Sequence, residues 1–239
     1  MNNLWMQRTT LLIGEEGIEK LQKSHVLVAG LGGVGSYATE FLARAGIGKL
    51  TLIDGDIVDP SNRNRQLIAL SSTHGKLKAE LMRDRVLHIN PEIEVKIYRE
   101  FMTPEMAHTI IQACSYDFVL DAIDSISPKI SFLVSALQGG MRVISSMGAG
   151  GKMDPLKLKI ADISQTHTCP FAQYVRKRLR EKGIYEGLQV VFSDEKVIKE
   201  SLMLTDGKNY KKSAYGTISY LPAAFGGVCS SLVIRELCK

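Results

Sequence analysis

The stretch His25-Val26-Leu27-Val28-Ala29-Gly30-Leu31-Gly32-Gly33-Val34-Gly35 decides how this chain folds. An apolar, β-branched run ends at a cluster of glycines. Behind it Val34, Ala38, Phe41, Leu42 and Ala45 recur at helical spacing, until Gly46 closes the pattern as a cap. A strand, a glycine turn and a helix in that order form a phosphate-binding unit. Gly30, Gly32, Gly33 and Gly35 permit a tight turn and let backbone amides approach an anion, and the helix N-terminus adds partial positive charge. Asp54 ends the next apolar run, Leu50 to Ile53, where a carboxylate accepts hydrogen bonds from ribose hydroxyls. No glycine run ends in Gly-Lys-Ser/Thr, so a Walker A loop is excluded.

Outward from this unit the pattern continues. Lys76 to Ile89 reads as a helix stopped by Asn90-Pro91, Ile93 to Tyr98 as a strand and Pro104 to Cys114 as a helix. Phe118 to Asp121 and Arg142 to Ser145 read as strands. Strands alternating with helices imply parallel pairing with right-handed crossovers. After Gly151 the pattern changes. Leu156 to Ile163 alternates like an antiparallel strand, Tyr174 to Lys182 is a basic helix, Leu188 to Ser193 is another strand, and 206–212 is a polar turn. The expected fold is α/β: a Rossmann-like, mostly parallel sheet with flanking helices over 1–150, extended by a smaller mixed and antiparallel part over 151–239, packed as one unit.

Composition sets further bounds. The 239 residues carry a net charge of +5, unevenly spread. Residues 1–150 hold 15 Lys/Arg and 16 Asp/Glu, whereas residues 151–239 hold 15 and 9. The basic excess therefore lies in the last third, where it suits a polyanionic partner. Cys114, Cys169, Cys229 and Cys238 include no Cys-x-x-Cys pair, which excludes a thiolate zinc knuckle and a thioredoxin motif. With no signal-like start, a reducing cytoplasm is expected. Residues 213–234 carry no charge over a length that could span a bilayer, but Gly216, Pro222, Gly226 and Gly227 interrupt them. They are read as a buried strand, a turn and the start of a last helix, with no transmembrane segment expected.

Asn62-Arg63-Asn64-Arg65-Gln66 follows the second strand, Lys78 begins the next helix, and Asp124 follows Phe118–Asp121. All three fall at the carboxyl edge of the expected sheet, where ligands bind. Two cations and a carboxylate there suit a triphosphate with magnesium: Arg65 and Lys78 take phosphate oxygens and Asp124 holds Mg2+. A nicotinamide oxidoreductase has no need of them, and their intact set argues against a non-catalytic RNA-binding scaffold with a decayed nucleotide fold.

Arg8, Gly30–Gly35, Asp54-Gly55-Asp56, Asn62, Arg65-Gln66, Lys78 and Asp124 together resemble the ThiF/MoeB/HesA superfamily of ubiquitin-activating-enzyme-like adenylyltransferases. Further stretches resemble the branch that acts on tRNA: 121–125 with Pro128-Lys129, 148–151 with Asp154-Pro155, and 191–195. The resemblance implies activation of a carboxylate by attack on the α-phosphate of ATP. In that branch the carboxylate is the threonyl group of N6-threonylcarbamoyladenosine, and ring closure by its ureido group loses water overall. It also implies that Gly30, Gly32, Gly33 and Gly35 form the phosphate turn and that Asp54 binds ribose with Asp56 nearby. Asn62, Arg65, Gln66 and Lys78 hold ATP, with Arg65, Lys78 and Asp124 the catalytic set.

Arg8 matches an arginine that reaches ATP from the other subunit, which implies a homodimer. A monovalent cation site of backbone carbonyls belongs to the same set of expectations. The basic helix, through Arg176, Lys177, Arg178, Arg180 and Lys182, is expected to meet the tRNA backbone. Cys169 lies on a loop where some relatives carry a catalytic cysteine, but the expected dehydration needs none. The alternative reading is an adenylyltransferase for the C-terminus of a ubiquitin-like sulfur-carrier protein. The missing Cys-x-x-Cys pairs weigh against it.

Overall fold

The computed structural model describes residues 4–204 and 213–239. The polar stretch at 206–212 lies outside the described residues. A helix α1 (Gln7–Lys23), kinked at Gly14, precedes β1 (His25–Ala29), α2 (Gly35–Arg44) and β2 (Lys49–Ile53). Next come α3 (Lys78–Ile89), β3 (Glu94–Tyr98), α4 (Pro104–Ala113) and β4 (Phe118–Asp121). Then follow α5 (Ile126–Gln138), β5 (Val143–Ser146), β6 (Leu158–Asp162), α6 (Pro170–Arg180) and β7 (Gln189–Ser193). A short β8 (Leu202–Leu204) and β9 (Ser213–Tyr215) precede the last helix, α7 (Tyr220–Leu237).

Seven strands form one sheet in the order β3-β2-β1-β4-β5-β7-β6, and β8 pairs with β9 apart from it. All pairings in the large sheet are parallel except that of β6 with β7, as the alternation of 156–163 predicts. Successive residues of β1 serve opposite faces, the period-2 rule of a strand covered on both sides. Val26 and Val28 pack in a core with Leu42, Leu52 and Phe225, whereas Leu27 and Ala29 pack in a second core with Ile110, Leu133 and Val190. The chain order reverses between β1 and β4, so the carboxyl ends of these two strands open a crevice.

The uncharged stretch at 213–234 differs from its reading. Its strand is three residues long, partly exposed and, among the described residues, paired only with β8. The helix begins at Tyr220 and runs through Gly226 and Gly227 to Leu237. Pro222 sits in the first turn, where its missing N–H costs nothing. A Cβ on Gly226 would lie 2.6 Å from Val34 O and 3.0 Å from Ala38 N, so glycine there permits the close packing of α7 on α2. Leu221, Phe225, Cys229 and Val233 are fully buried beneath it, each worth about 1.5–3 kcal/mol for the larger apolar side chains. Among the described residues no helix is long and apolar enough to cross a membrane.

Candidate nucleotide site

A cavity of about 620 Å³ opens at the carboxyl ends of β1, β2, β4 and β5. Its floor is the glycine turn. Gly30 adopts φ +88°, and its N–H donates to Ile53 O at 2.8 Å. A Cβ on Gly30 would sit 2.7 Å from Ala122 O, and one on Gly35, the first residue of α2, would sit 1.7 Å from Gly30 O. Gly32 is different: the nearest atom to a Cβ there would be Gln66 Nε2 at 3.7 Å, which leaves room in front of the turn. Gly30 and Gly35 therefore shape the backbone, while Gly32 and Gly33 face the cavity.

Asp54 braces this turn. Its Oδ2 accepts from Leu31 N at 2.6 Å and its Oδ1 from Asp56 N at 2.8 Å. Burial pushes its carboxyl above the ordinary aspartate value, against the pull of the Lys78 charge and these two N–H groups. Lys78, 3% exposed, donates from Nζ to Asp56 Oδ2 at 2.6 Å. Asn62 is buried, and its Oδ1 accepts from Asp59 N at 3.1 Å in a reciprocal cap of the turn at 60–62.

Arg65 is half-buried, with Nη1 on Ser61 O and Asn64 Oδ1 at 3.0 and 2.8 Å. Burial draws its guanidinium below the usual arginine range, opposed by the charge of Asp124. Across the cavity Asp124 is exposed after β4, with Ser125 Oγ donating to its Oδ1 at 3.4 Å. Gly30, Gly32, Gly33, Asp54, Asp56, Asn62, Arg65, Gln66, Lys78 and Asp124 thus line one cavity. Gly35 lies beneath it. Arg8 lies elsewhere, exposed on α1.

Two observations test whether a nucleoside triphosphate fits these residues. Gln66 is 8% exposed, lines the cavity, and its buried Oε1 has no hydrogen-bond partner among the described residues. An amide oxygen left so is costly unless a ligand or water satisfies it. The space before Gly32 and the cations Arg65 and Lys78 supply donors for a polyphosphate. The described residues hold no cluster of three His, Cys, Asp or Glu able to cage a metal ion. Asp124, exposed at the cavity, has the donor chemistry of a magnesium held by one carboxylate and substrate phosphates.

Part of the wall comes from 148–150, which the sequence marks by resemblance without a site role, and from neighbours it does not mark. Met147, Gly148, Ala149 and Gly150 after β5 close one side, with Phe171 of α6 beside them. A Cβ on Gly148 would lie 3.1 Å from Phe171 Cβ. Two buried lysines, Lys129 and Lys152, sit behind this wall. Lys152 Nζ meets Gly148 O at 3.0 Å and Cys169 Sγ at 3.4 Å. Cys169 is 3% exposed, so its thiol belongs to the wall's support. All four cysteines are free thiols. His167 on the same loop is 2.9 Å from Asp194 Oδ1.

The five cations expected on the basic helix separate, and Lys182 lies in the turn past its end at Arg180. Arg176 donates from Nη1 to Thr166 O at 2.7 Å and to Thr166 Oγ1, so it anchors α6. Arg178 pairs with Glu181 at 2.9 Å while exposed, and Lys177, Arg180 and Lys182 are exposed.

Residues 6–239 match the model of the ThiF family, and the chain belongs to that family. It is 44% identical over 241 residues to the tRNA threonylcarbamoyladenosine dehydratase of Bacillus subtilis (strain 168), covering 97% of this chain and 94% of that protein. Among solved structures, the tRNA N6-threonylcarbamoyladenosine dehydratase of E. coli in complex with AMP superposes with a TM-score of 0.89 at 34% identity, over 99% of this chain and 96% of that one. The same E. coli protein in complex with ATP gives 0.88 over the same shares.

Proposed function

We propose that this protein uses ATP to dehydrate N6-threonylcarbamoyladenosine in tRNA to its cyclic form. The observation that carries the reading is the convergence of the glycine turn, Asn62, Arg65, Gln66, Lys78 and Asp124 on one cavity. Near-full-length kinship with dehydratases supports it.

In this reading the threonyl carboxylate attacks the α-phosphorus of ATP and pyrophosphate leaves. A ureido heteroatom then attacks the acyl carbon, the ring closes and AMP leaves with the carboxylate oxygen. The attacking group is tethered to the acyl group, so proximity supplies the effective concentration a protein nucleophile would otherwise provide. Arg65 and Lys78 stabilise charge developing on the phosphates, and Asp56 holds Lys78 for that task. The amides of the glycine turn face the phosphates, Asp54 accepts from ribose, and Gln66 Oε1 finds its donor on the nucleotide. Asp124 would hold magnesium, which would supply charge neutralisation for the phosphates. A monovalent cation on backbone carbonyls remains part of the proposal.

The exposed cations of α6 meet the tRNA backbone, since Phe171 puts the start of that helix at the cavity. A homodimer completes the site through Arg8 from the partner. Leu11 and Leu12, 83% and 84% exposed beside Arg8, suit a protein contact. A tRNA substrate and four free thiols fit the reducing cytoplasm. The deciding experiment incubates the protein with ATP, magnesium and tRNA bearing the threonylcarbamoyl group, followed by mass spectrometry of the nucleosides. The cyclised nucleoside, lighter than the substrate by one water, is expected. An unchanged nucleoside profile together with adenylation of a carrier protein's C-terminus sinks the reading.

A further inference from the structure

Behind the cavity, Asp121 at the end of β4 and Lys129 in α5 form an ion pair at 2.6 Å, and both side chains are 0% exposed. The ammonium also donates to Ser146 O at 2.9 Å and Ile123 O at 3.0 Å. Its three protons therefore have three acceptors, which leaves none to deliver. Asp121 is equally engaged: Oδ2 also accepts from Ser145 Oγ at 2.6 Å, and Oδ1 accepts from Ile123 N at 3.0 Å. Ile123 is thus held on both sides, its N–H by Asp121 and its C=O by Lys129. That carbonyl belongs to the peptide bond joining Ile123 to Asp124, so its direction sets the backbone from which the Asp124 side chain departs. Through Ser146 O the same ammonium ties this turn to the wall after β5.

We propose that Lys129 and Asp121 are a positioning pair for Asp124: they fix the Ile123–Asp124 peptide so that the carboxylate is held ready for magnesium bound with ATP. The inference rests on the ATP reading above. A fold that needed only stability would do as well with apolar residues in this place, because burying two charges offsets most of their attraction. What apolar residues do not supply is three directed bonds onto two neighbouring loops.

Removing one partner strands a buried charge, so the test uses D121N/K129M, which keeps shape and removes both charges. ATP affinity is measured by calorimetry across a magnesium titration, without tRNA. The double variant is expected to melt close to wild type, to bind ATP unchanged without magnesium, and to need about tenfold more magnesium or higher, the usual effect of losing an outer-shell partner. D121N/K129Q, which keeps a donor for the two carbonyls, is expected to recover most of that affinity. On an Asp124→Ala background the D121N/K129M change is expected to add no further loss, because its effect passes through Asp124. Wild-type magnesium dependence in folded D121N/K129M overturns the proposal, and so do losses that multiply with Asp124→Ala. Failure of the wild-type protein to bind ATP overturns the nucleotide reading and this proposal with it, whereas normal wild-type binding with an unaffected double variant overturns this proposal alone.

Discussion

Lys78 Nζ lies 2.6 Å from Asp56 Oδ2 in a pair whose lysine side chain is 4% exposed and whose aspartate is 39% exposed. The cation is thus held in place at the cavity before any phosphate arrives, and the carboxylate that holds it stays partly hydrated. Replacing Lys78 with methionine is expected to lower kcat/KM by about a hundredfold to a thousandfold, as for loss of one fixed transition-state donor. Asp56→Asn frees the ammonium and is expected to cost less. Steady-state pyrophosphate release with modified tRNA measures both.

The glycines of the turn divide by what surrounds them. Gly35→Ala is expected to give insoluble or unfolded protein, because its Cβ would lie 1.7 Å from Gly30 O. Gly32→Ala meets nothing closer than 3.7 Å and is expected to fold. Its methyl group occupies phosphate space, so ATP affinity falls. Thermal melts and calorimetry separate the two outcomes.

Glu40 on α2 accepts from Arg85 of α3 at 2.6 and 3.0 Å and from Arg44 at 2.7 Å. Burial alone raises its carboxyl, but the bonds from Arg85 and Arg44 more than reverse this and hold it below the ordinary glutamate value. A group with a depressed folded value stabilises above its unfolded pKa of about 4.3 and loses that contribution as pH falls through the folded value. Glu40→Gln is therefore expected to cost about 1 kcal/mol at neutral pH, with partly exposed arginines limiting the figure. The difference should vanish in acid. Urea denaturation at neutral and acid pH measures it.

Two kinds of α6 cation predict two phenotypes. Lys177→Glu with Arg178→Glu is expected to weaken tRNA binding and lower the salt slope by about one to two, with ATP affinity unchanged. Arg176→Ala removes the donor to Thr166 O and is expected to destabilise by about 1–2 kcal/mol. Filter binding over a salt series and thermal melts distinguish them.

Arg8 supplies a test of subunit sharing. Arg8→Ala and Lys78→Ala proteins are each expected to be inactive, and mixing them should restore activity at about a quarter of the sites, since only mixed dimers carry one intact pair. No recovery after subunit exchange removes Arg8 from a role across the interface.

Much of this architecture was legible because it depends on neighbours in sequence. The glycine turn, Asp54 and the alternating strands obey local rules of backbone freedom and period, and strand bounds agree within two residues. Lys129 was not legible as a buried cation: three residues into a helix, a lysine reads as surface, and only the fold brings Asp121, Ile123 O and Ser146 O around it. Cys169 looked like a loop thiol until Lys152, distant in the helix-and-loop pattern, was found against it. The last helix broke its own local signals, because Gly226 answers to Val34 and Ala38 across the interface rather than to its chain neighbours. Arg176 shared its composition with four other cations, and what sets it apart, the backbone carbonyl of Thr166 within reach, comes from the fold.

The packing of α7 on α2 has a consequence for biosynthesis. This helix packs on α2 and on β4, β5, β6 and β7, yet it is made after all of them. The glycine turn and α2 therefore leave the ribosome with an apolar face that α7 has yet to cover. Completion of the core waits for α7 to emerge, and a nascent chain stalled before Tyr220 would expose that face to chaperones or to aggregation.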